Sequence, residues 1–148
     1  MKRAHSVHIR VFAKEGEDIA KIKEGLSFMV PFDYEKEKIK VDETNAIGFS
    51  DKQIKIFEIT LSKERHINAW LNLLVNSLKK EQKDMLLRQI DTRIDDECCF
   101  FIRFDKDKIF DKEFFITDSG SCYHVRISLA AYPKTRENSK KIVEEMLK

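Results

Sequence analysis

Cys99-Phe100-Phe101-Ile102-Arg103-Phe104-Asp105 alternates without a break: Phe100, Ile102 and Phe104 fall on one side, and Cys99, Phe101, Arg103 and Asp105 on the other. Successive side chains of a strand point to opposite faces, so this period of two marks a strand with one face in a core. The spacing predicts strand over Arg93–Asp105. Downstream, Lys106–Lys112 reads as a charged hairpin connection, and Glu113–Thr117 as a strand rich in aromatic and β-branched residues. Asp118-Ser119-Gly120-Ser121 is a turn by composition. Cys122–Tyr132 alternates again, with Tyr123, Val125, Ile127 and Leu129 against His124, Arg126 and Ser128, until Pro133 stops it. The last stretch, Thr135–Lys148, has the helical spacing of Ile142, Val143, Met146 and Leu147.

Upstream the same two periods recur. His5–Lys14 alternates, with Val7, Ile9 and Val11 on one side and His8, Arg10 and Phe12 on the other. Gly16 ends it, and from Glu17 the spacing becomes Ile19, Ile22, Leu26 and Met29, the stripe of a helix that closes before Pro31. Lys38–Asp42 is a weak strand and Thr44–Lys52 a loop. Gln53–Ser62 is a strong strand whose Ile54 and Ile56 fall opposite to Phe57, Ile59 and Leu61, which suggests a bulge or a partly covered second face. Ser62 is a candidate N-cap for the clearest helix, carrying Ile67, Trp70, Leu71, Leu74, Val75 and Leu78. A shorter helix carries Met85, Leu86 and Ile90. Short connections between the late strands make the sheet largely antiparallel. Helices on one face of it give a two-layer α+β domain spanning residues 1–148, with the other sheet face open.

Composition excludes several classes. The chain has 148 residues, 28 Lys+Arg and 26 Asp+Glu, for a net charge of only +2. Bulk charge therefore does not announce a nucleic-acid partner, and such a reading must rest on where the charges lie. Its longest apolar run, Cys98–Ile102, is far too short to span a membrane. The basic start lacks the apolar core of a signal peptide, so a soluble, cytoplasmic protein without a membrane partner is expected. No glycine-rich phosphate loop, zinc-spaced His/Cys set or nucleophile elbow is present, and no cofactor or metal is expected. The acidic group Asp91, Asp95, Asp96 and Glu97 is a solvated turn in one reading and the cage of a metal-dependent nuclease in another.

The chemistry-bearing residues gather on the polar sides of three strands. His8, Arg10 and Phe12, then Phe101 and Arg103, then His124 and Arg126 would interleave arginines with aromatic and imidazole rings on the open face. Guanidinium groups fork onto phosphate, and flat rings stack on unpaired bases. The alternative for the same residues is a solvated face with cross-strand pairs to Glu58 and Asp105.

Arg93-Ile94-Asp95-Asp96-Glu97-Cys98-Cys99-Phe100-Phe101-Ile102-Arg103-Phe104-Asp105-Lys106 resembles a pattern of an archaeal family described as predicted RNA-binding, exosome-associated proteins. Ala131-Tyr132-Pro133-Lys134-Thr135-Arg136-Glu137 is similar to that family's Ala-Tyr-Pro-Lys-x-Arg-Glu before its last helix. Ala13-Lys14-Glu15-Gly16-Glu17-Asp18 resembles its acidic helix start, and Gly48-Phe49-Ser50-Asp51 stands where it has Gly-aromatic-Gly-Asn. The resemblance implies a fold like that of the ribosomal protein holding the small rRNA of the large subunit. It also implies a role in RNA processing or degradation, with RNA and exosome subunits as partners; lacking a base–nucleophile pair or a metal cage, the chain is expected to be non-catalytic. It marks Arg93, Arg103, Lys106, Lys134 and Arg136 as candidate contacts, and the open face alone adds Arg10, Phe101 and Arg126. A protein-interaction or homodimer module, using an apolar patch of Ile54, Ile56 and Phe101, is the alternative.

Cys98 and Cys99 are neighbours on opposite sides of a strand, so only one of them can approach Cys122. We expect no disulfide within the chain. Intact mass under native, non-reducing conditions should equal that of the fully reduced chain, and a loss of two hydrogens would contradict the strand reading.

Overall fold

The computed structural model describes residues 2–148, the side chain of Phe49 excepted. Strand β1 (Ala4–Lys14) is followed by helix α1 (Ile19–Met29), strands β2 (Asp42–Ile47) and β3 (Gln53–Leu61), and helices α2 (Glu64–Ser77), α3 (Lys80–Arg88) and α4 (Ile90–Arg93). Strand β4 (Cys99–Asp105), helix α5 (Lys106–Phe110), strand β5 (Cys122–Leu129) and helix α6 (Arg136–Leu147) complete it. The strands form one antiparallel sheet in the order β2-β3-β1-β5-β4. This is the α+β architecture expected from the alternation.

Alternation divides the sheet cleanly. Val7, Ile9 and Val11 of β1, Phe57, Ile59 and Leu61 of β3, Phe100, Ile102 and Phe104 of β4, and Tyr123, Val125 and Ile127 of β5 are all buried. They meet Ile22, Leu26 and Met29 of α1, Ile67, Trp70, Leu71 and Leu74 of α2, and Val143 and Leu147 of α6. Burial of such aromatic and aliphatic side chains contributes about 1.5–3 kcal/mol each before conformational entropy is counted. Trp70 donates its indole N–H to the Met29 carbonyl at 3.0 Å, so the one polar atom of the largest core residue is satisfied at the end of α1.

Several local expectations are corrected. The strand placed at Lys38–Asp42 lies instead at Asp42–Ile47, inside the stretch read as loop. Asp42-Glu43-Thr44-Asn45 carries no apolar alternation, because an edge strand needs only its backbone ladder to β3. Lys106–Phe110 is a short helix rather than a hairpin connection, and Glu113–Thr117 contributes only a single bridge, Ile116 to Phe104. Residues 90–93 are helical, so β4 begins at Cys99 and not at Arg93. Ser62 is not the cap of α2, whose preceding residue is Lys63. Glu17 and Asp18 stand before α1, where Asp18 is the N-cap and accepts from the Lys21 N–H. Strand β3 pairs with β1 without a bulge, so Ile54 and Ile56 face the open side, half-buried beside Lys14 and Phe12. Ser50 and Asp51 take left-handed φ values of 59° and 58°. They stand where the resembled pattern has Gly and Asn, the residues that adopt this conformation at least cost.

Gly25 is where helix and sheet come closest. A Cβ there would lie 2.1 Å from the Tyr123 hydroxyl oxygen, which itself donates to the Ile22 carbonyl at 2.8 Å. Gly25→Ala should therefore cost about 1–3 kcal/mol through overpacking, despite alanine's better helix propensity. Tyr123→Phe in the same chain removes the clashing oxygen, so the double variant should lose less than the two single losses added together. Urea unfolding of the four proteins measures this coupling.

Candidate nucleic-acid interface

The open face is built by the register of β1 with its two neighbours. Arg10 lies opposite Glu58 of β3 and His124 of β5, and His124 lies opposite Arg103 of β4. One row therefore runs Glu58, Arg10, His124, Arg103 across four strands. The next row runs Thr60, His8, Arg126, Phe101. Neighbouring strands are about 4.8 Å apart, so each row places its groups within reach of one extended ligand.

Glu58 does not take the arginine opposite it. Its carboxylate is bound by the His8 Nε2 at 2.7 Å. Among the described residues, no carboxylate pairs with Arg10, Arg103 or Arg126, whereas Arg65 and Arg93 each have one. The expected cross-strand pairs with Glu58 and Asp105 do not form. Arg10 instead lies with its guanidinium carbon 5.1 Å from the Phe12 ring centre, and its buried Nε has no hydrogen-bond partner. An unpaired buried donor is costly until an acceptor, whether a water or a ligand oxygen, reaches it. His124 packs edge-on to Phe12, and its pKa lies below the ordinary imidazole value through burial first, then Arg10, Arg103 and Lys106.

At the β4 edge the face ends in an open depression of about 560 Å³, lined by Gln89, Thr92, Arg93, Phe101, Arg103 and Asp118 among others. Phe101 is 39% exposed, beside the unpaired Arg126. Arg93 is already committed: it donates to Gln89 Oε1, to the Phe101 carbonyl and to Asp118, and burial lowers its pKa against the opposing pull of Asp118. Arg103 gives one guanidinium N–H to the Asp118 carbonyl at 3.1 Å. Arg93 thus positions this edge, while Arg103 keeps donors free.

The remaining motif residues divide likewise. Arg136 at the start of α6 donates to the Asp91 and Ile94 carbonyls and ties that helix to α4. Lys134 pairs with Glu97 at 3.4 Å on the surface, and both lie near Cys99 together with Asp95 and Arg126. Lys106 is not on the face at all. Its ammonium is buried and bound to the Phe12 carbonyl at 2.8 Å and to Glu17 at 3.2 Å, beyond the last β1–β5 pair. The acidic group is occupied as well: Asp95 accepts from the Glu97 and Cys99 N–H groups, and Asp91 pairs with Lys140, which holds its carboxyl below the usual range. Among the described residues, no three His, Cys, Asp or Glu groups are gathered to hold a metal ion, and no helix is long and apolar enough to cross a membrane.

Sequence reasoning missed Tyr132, which is 94% exposed in the Ala-Tyr-Pro-Lys motif, and Phe115, 40% exposed near Lys108. The motif named Tyr132, but nothing in its spacing showed that no core would cover it.

Replacing Lys106 by Met should cost about 2–4 kcal/mol in urea unfolding, because the Phe12 carbonyl and the Glu17 carboxylate lose their shared donor. A surface phosphate contact would instead leave stability within about 0.5 kcal/mol of the parent.

A family model described as RNA binding matches residues 6–129. RNA-binding protein PAB1135 of Pyrococcus abyssi is 28% identical over 145 residues, covering 98% of this chain and 94% of that protein. The crystal structure of protein AF2318 from Archaeglobus fulgidus superposes with a TM-score of 0.86 at 26% identity, covering 97% of this chain and 99% of that one. Mth689, a DUF54 protein from Methanothermobacter thermautotrophicus, shares the fold with a TM-score of 0.83 at 19% identity, over 99% and 100% of the two chains. With the model spanning most of its length, this chain belongs to the RNA-binding family.

Proposed function

We propose that the chain is a non-catalytic RNA-binding module that holds a single strand across its open sheet face. The observation that carries this reading is the set of three arginines, Arg10, Arg103 and Arg126, on adjacent strands without carboxylate partners. Phosphate satisfies such forks, and Phe101 and Tyr132 offer exposed rings on which unpaired bases stack. A duplex would present its backbone and keep its bases inside, which leaves those rings without a role. Lys134 extends the track toward α6, and Arg93 and Arg136 act by holding the surrounding turns.

The family resemblance supports a setting in RNA processing or degradation, with exosome subunits as partners and kinship to the ribosomal protein fold; a cytoplasmic location rests on the sequence composition alone. The apolar-patch alternative has less support. Ile54 and Ile56 on β3 adjoin Phe12 and Lys14 on β1, whereas Phe101 lies three strands away on β4, with Arg10 and Arg126 on the strands between.

Changing Arg10, Arg103 and Arg126 together to Gln should leave thermal unfolding nearly intact, since all three lie opposite the core side of their strands. The slope of log affinity against log salt should flatten by roughly two units, at ~0.7 per contact for a single strand. Phe101→Ala should weaken binding by about 1–3 kcal/mol with little change of slope. A salt titration of single-stranded RNA binding separates these outcomes. An unaltered slope in the triple variant would remove this face from the RNA contact, and a wild type that binds no RNA at low salt would end the reading.

A further inference from the structure

The centre of the open face holds an imidazole between two guanidinium groups. Arg10 reaches it from β1 and Arg103 from β4, each directly opposite His124 in register. The Lys106 ammonium at the start of α5, buried off the face and paired with Glu17, also disfavours the imidazolium. The nearest carboxylate in the row, Glu58, is turned away to His8 at 2.7 Å. On its own strand, His124 has Nε2 3.5 Å from the Cys122 sulfur, and Asp105 lies opposite Cys122 in register. Phe12 closes the remaining side with its ring edge-on at 5.9 Å. The site thus has two fixed cations, one group that can become a third, and a buried donor, Arg10 Nε, without an acceptor.

We propose that Arg10, His124 and Arg103 form a seat for one phosphodiester of the bound strand, and that the phosphate enters it together with a proton taken up by His124. The proposal deepens the RNA-binding reading and rests on it. In the free protein burial first, and then the neighbouring cations, hold the imidazole pKa below its ordinary value and so favour the neutral form. A phosphate placed between the guanidinium groups cancels that repulsion and supplies an acceptor for the imidazolium N–H and for Arg10 Nε. The proton comes from solvent, no covalent bond changes, and the phosphodiester leaves with its charge when the proton returns to water.

The sign of the linkage follows directly. The bound state holds a proton that the free state lacks, so affinity rises as pH falls between the two titration points of His124. The slope approaches one proton per strand, or up to about tenfold in affinity per pH unit. The stability of the free protein moves the other way. Its folded-state imidazole titrates below the unfolded one, so folding is fully favoured above about pH 6.5 and weakens as pH falls through that value.

The test uses the full chain and a labelled single-stranded RNA of randomised sequence, at constant salt, over about pH 5.5 to 7.5. Calorimetric titration in buffers of different ionisation enthalpy counts the protons taken up, and the imidazole resonances followed by NMR give the midpoint of His124 with and without RNA. Wild type should take up close to one proton, and the His124 midpoint should rise on binding. His124→Gln should abolish that uptake while still binding RNA, more weakly at acidic pH. Arg10→Gln should raise the free-state midpoint and reduce the uptake. His5→Gln, on an exposed residue outside the row, should leave the count unchanged. RNA binding without proton uptake, or with an uptake that survives His124→Gln, would overturn the seat and leave the RNA-binding reading standing. Failure of the wild type to bind the RNA would overturn both.

Discussion

Strand β1 is hydrogen-bonded along both edges, and its register with β3 and β5 decides which distant side chains become neighbours. Because both ladders are antiparallel, each β1 residue has a direct partner on either side. Val7, Ile9 and Val11 thereby meet Leu61, Ile59 and Phe57 on one strand and Ile127, Val125 and Tyr123 on the other. A slip of one residue would bring Arg10 into that core and turn Ile9 to the open face. The cost of burying an unpaired guanidinium fixes the register as firmly as the apolar packing does. The position of His124 between Arg10 and Arg103 is a by-product of the same constraint.

Charge is abundant in this molecule but nearly balanced, so its placement matters more than its sum. A net charge of +2 hides a face where, among the described residues, three arginines lack carboxylate partners, while nearby acidic groups bind other cations. Glu58 binds His8, Glu17 binds Lys106, Asp118 binds Arg93, and Asp91 binds Lys140. Most of these surface pairs add little to stability. Their consequence is electrostatic: the Glu58 and Asp118 carboxylates are taken up by His8 and Arg93 and not by Arg10 or Arg103. The Lys106 pair differs, since its ammonium is buried and also satisfies a β1 carbonyl that β5 does not extend far enough to reach. Removing it would disturb the end of the sheet before it disturbed any surface contact.

The β4 edge is shaped by short segments. A bridge from Ile94 to Phe100 and another from Ile116 to Phe104 flank the strand, and the Asp105 and Thr117 N–H groups complete bonds with residues 115 and 103. These contacts leave Phe101 pointing outward over a depression lined by both polar and apolar side chains. The β2 edge at the other side is open and mainly polar apart from Ile47, so the sheet presents chemically different borders.

The fold class was readable because alternation and helical spacing are local properties of the chain. Phe100, Ile102 and Phe104, or Ile67, Trp70 and Leu74, declare their buried side within a few residues of one another. The side on which Arg10, Arg103 and Arg126 lie followed from the same rule. Elements held by partners far along the chain escaped it: β2 exists through its ladder to β3, and residues 106–110 coil because α5 packs against α1. The site was half legible for the same reason. Sequence placed its arginines on one side of each strand, but only the register of β1 with β5 and of β5 with β4 set His124 between two of them. Only the tertiary structure diverted Glu58 to His8 and buried Lys106 against a carbonyl 94 residues away. Periodicity is fixed by the geometry of the backbone, whereas pairing between charges is fixed by which strands meet.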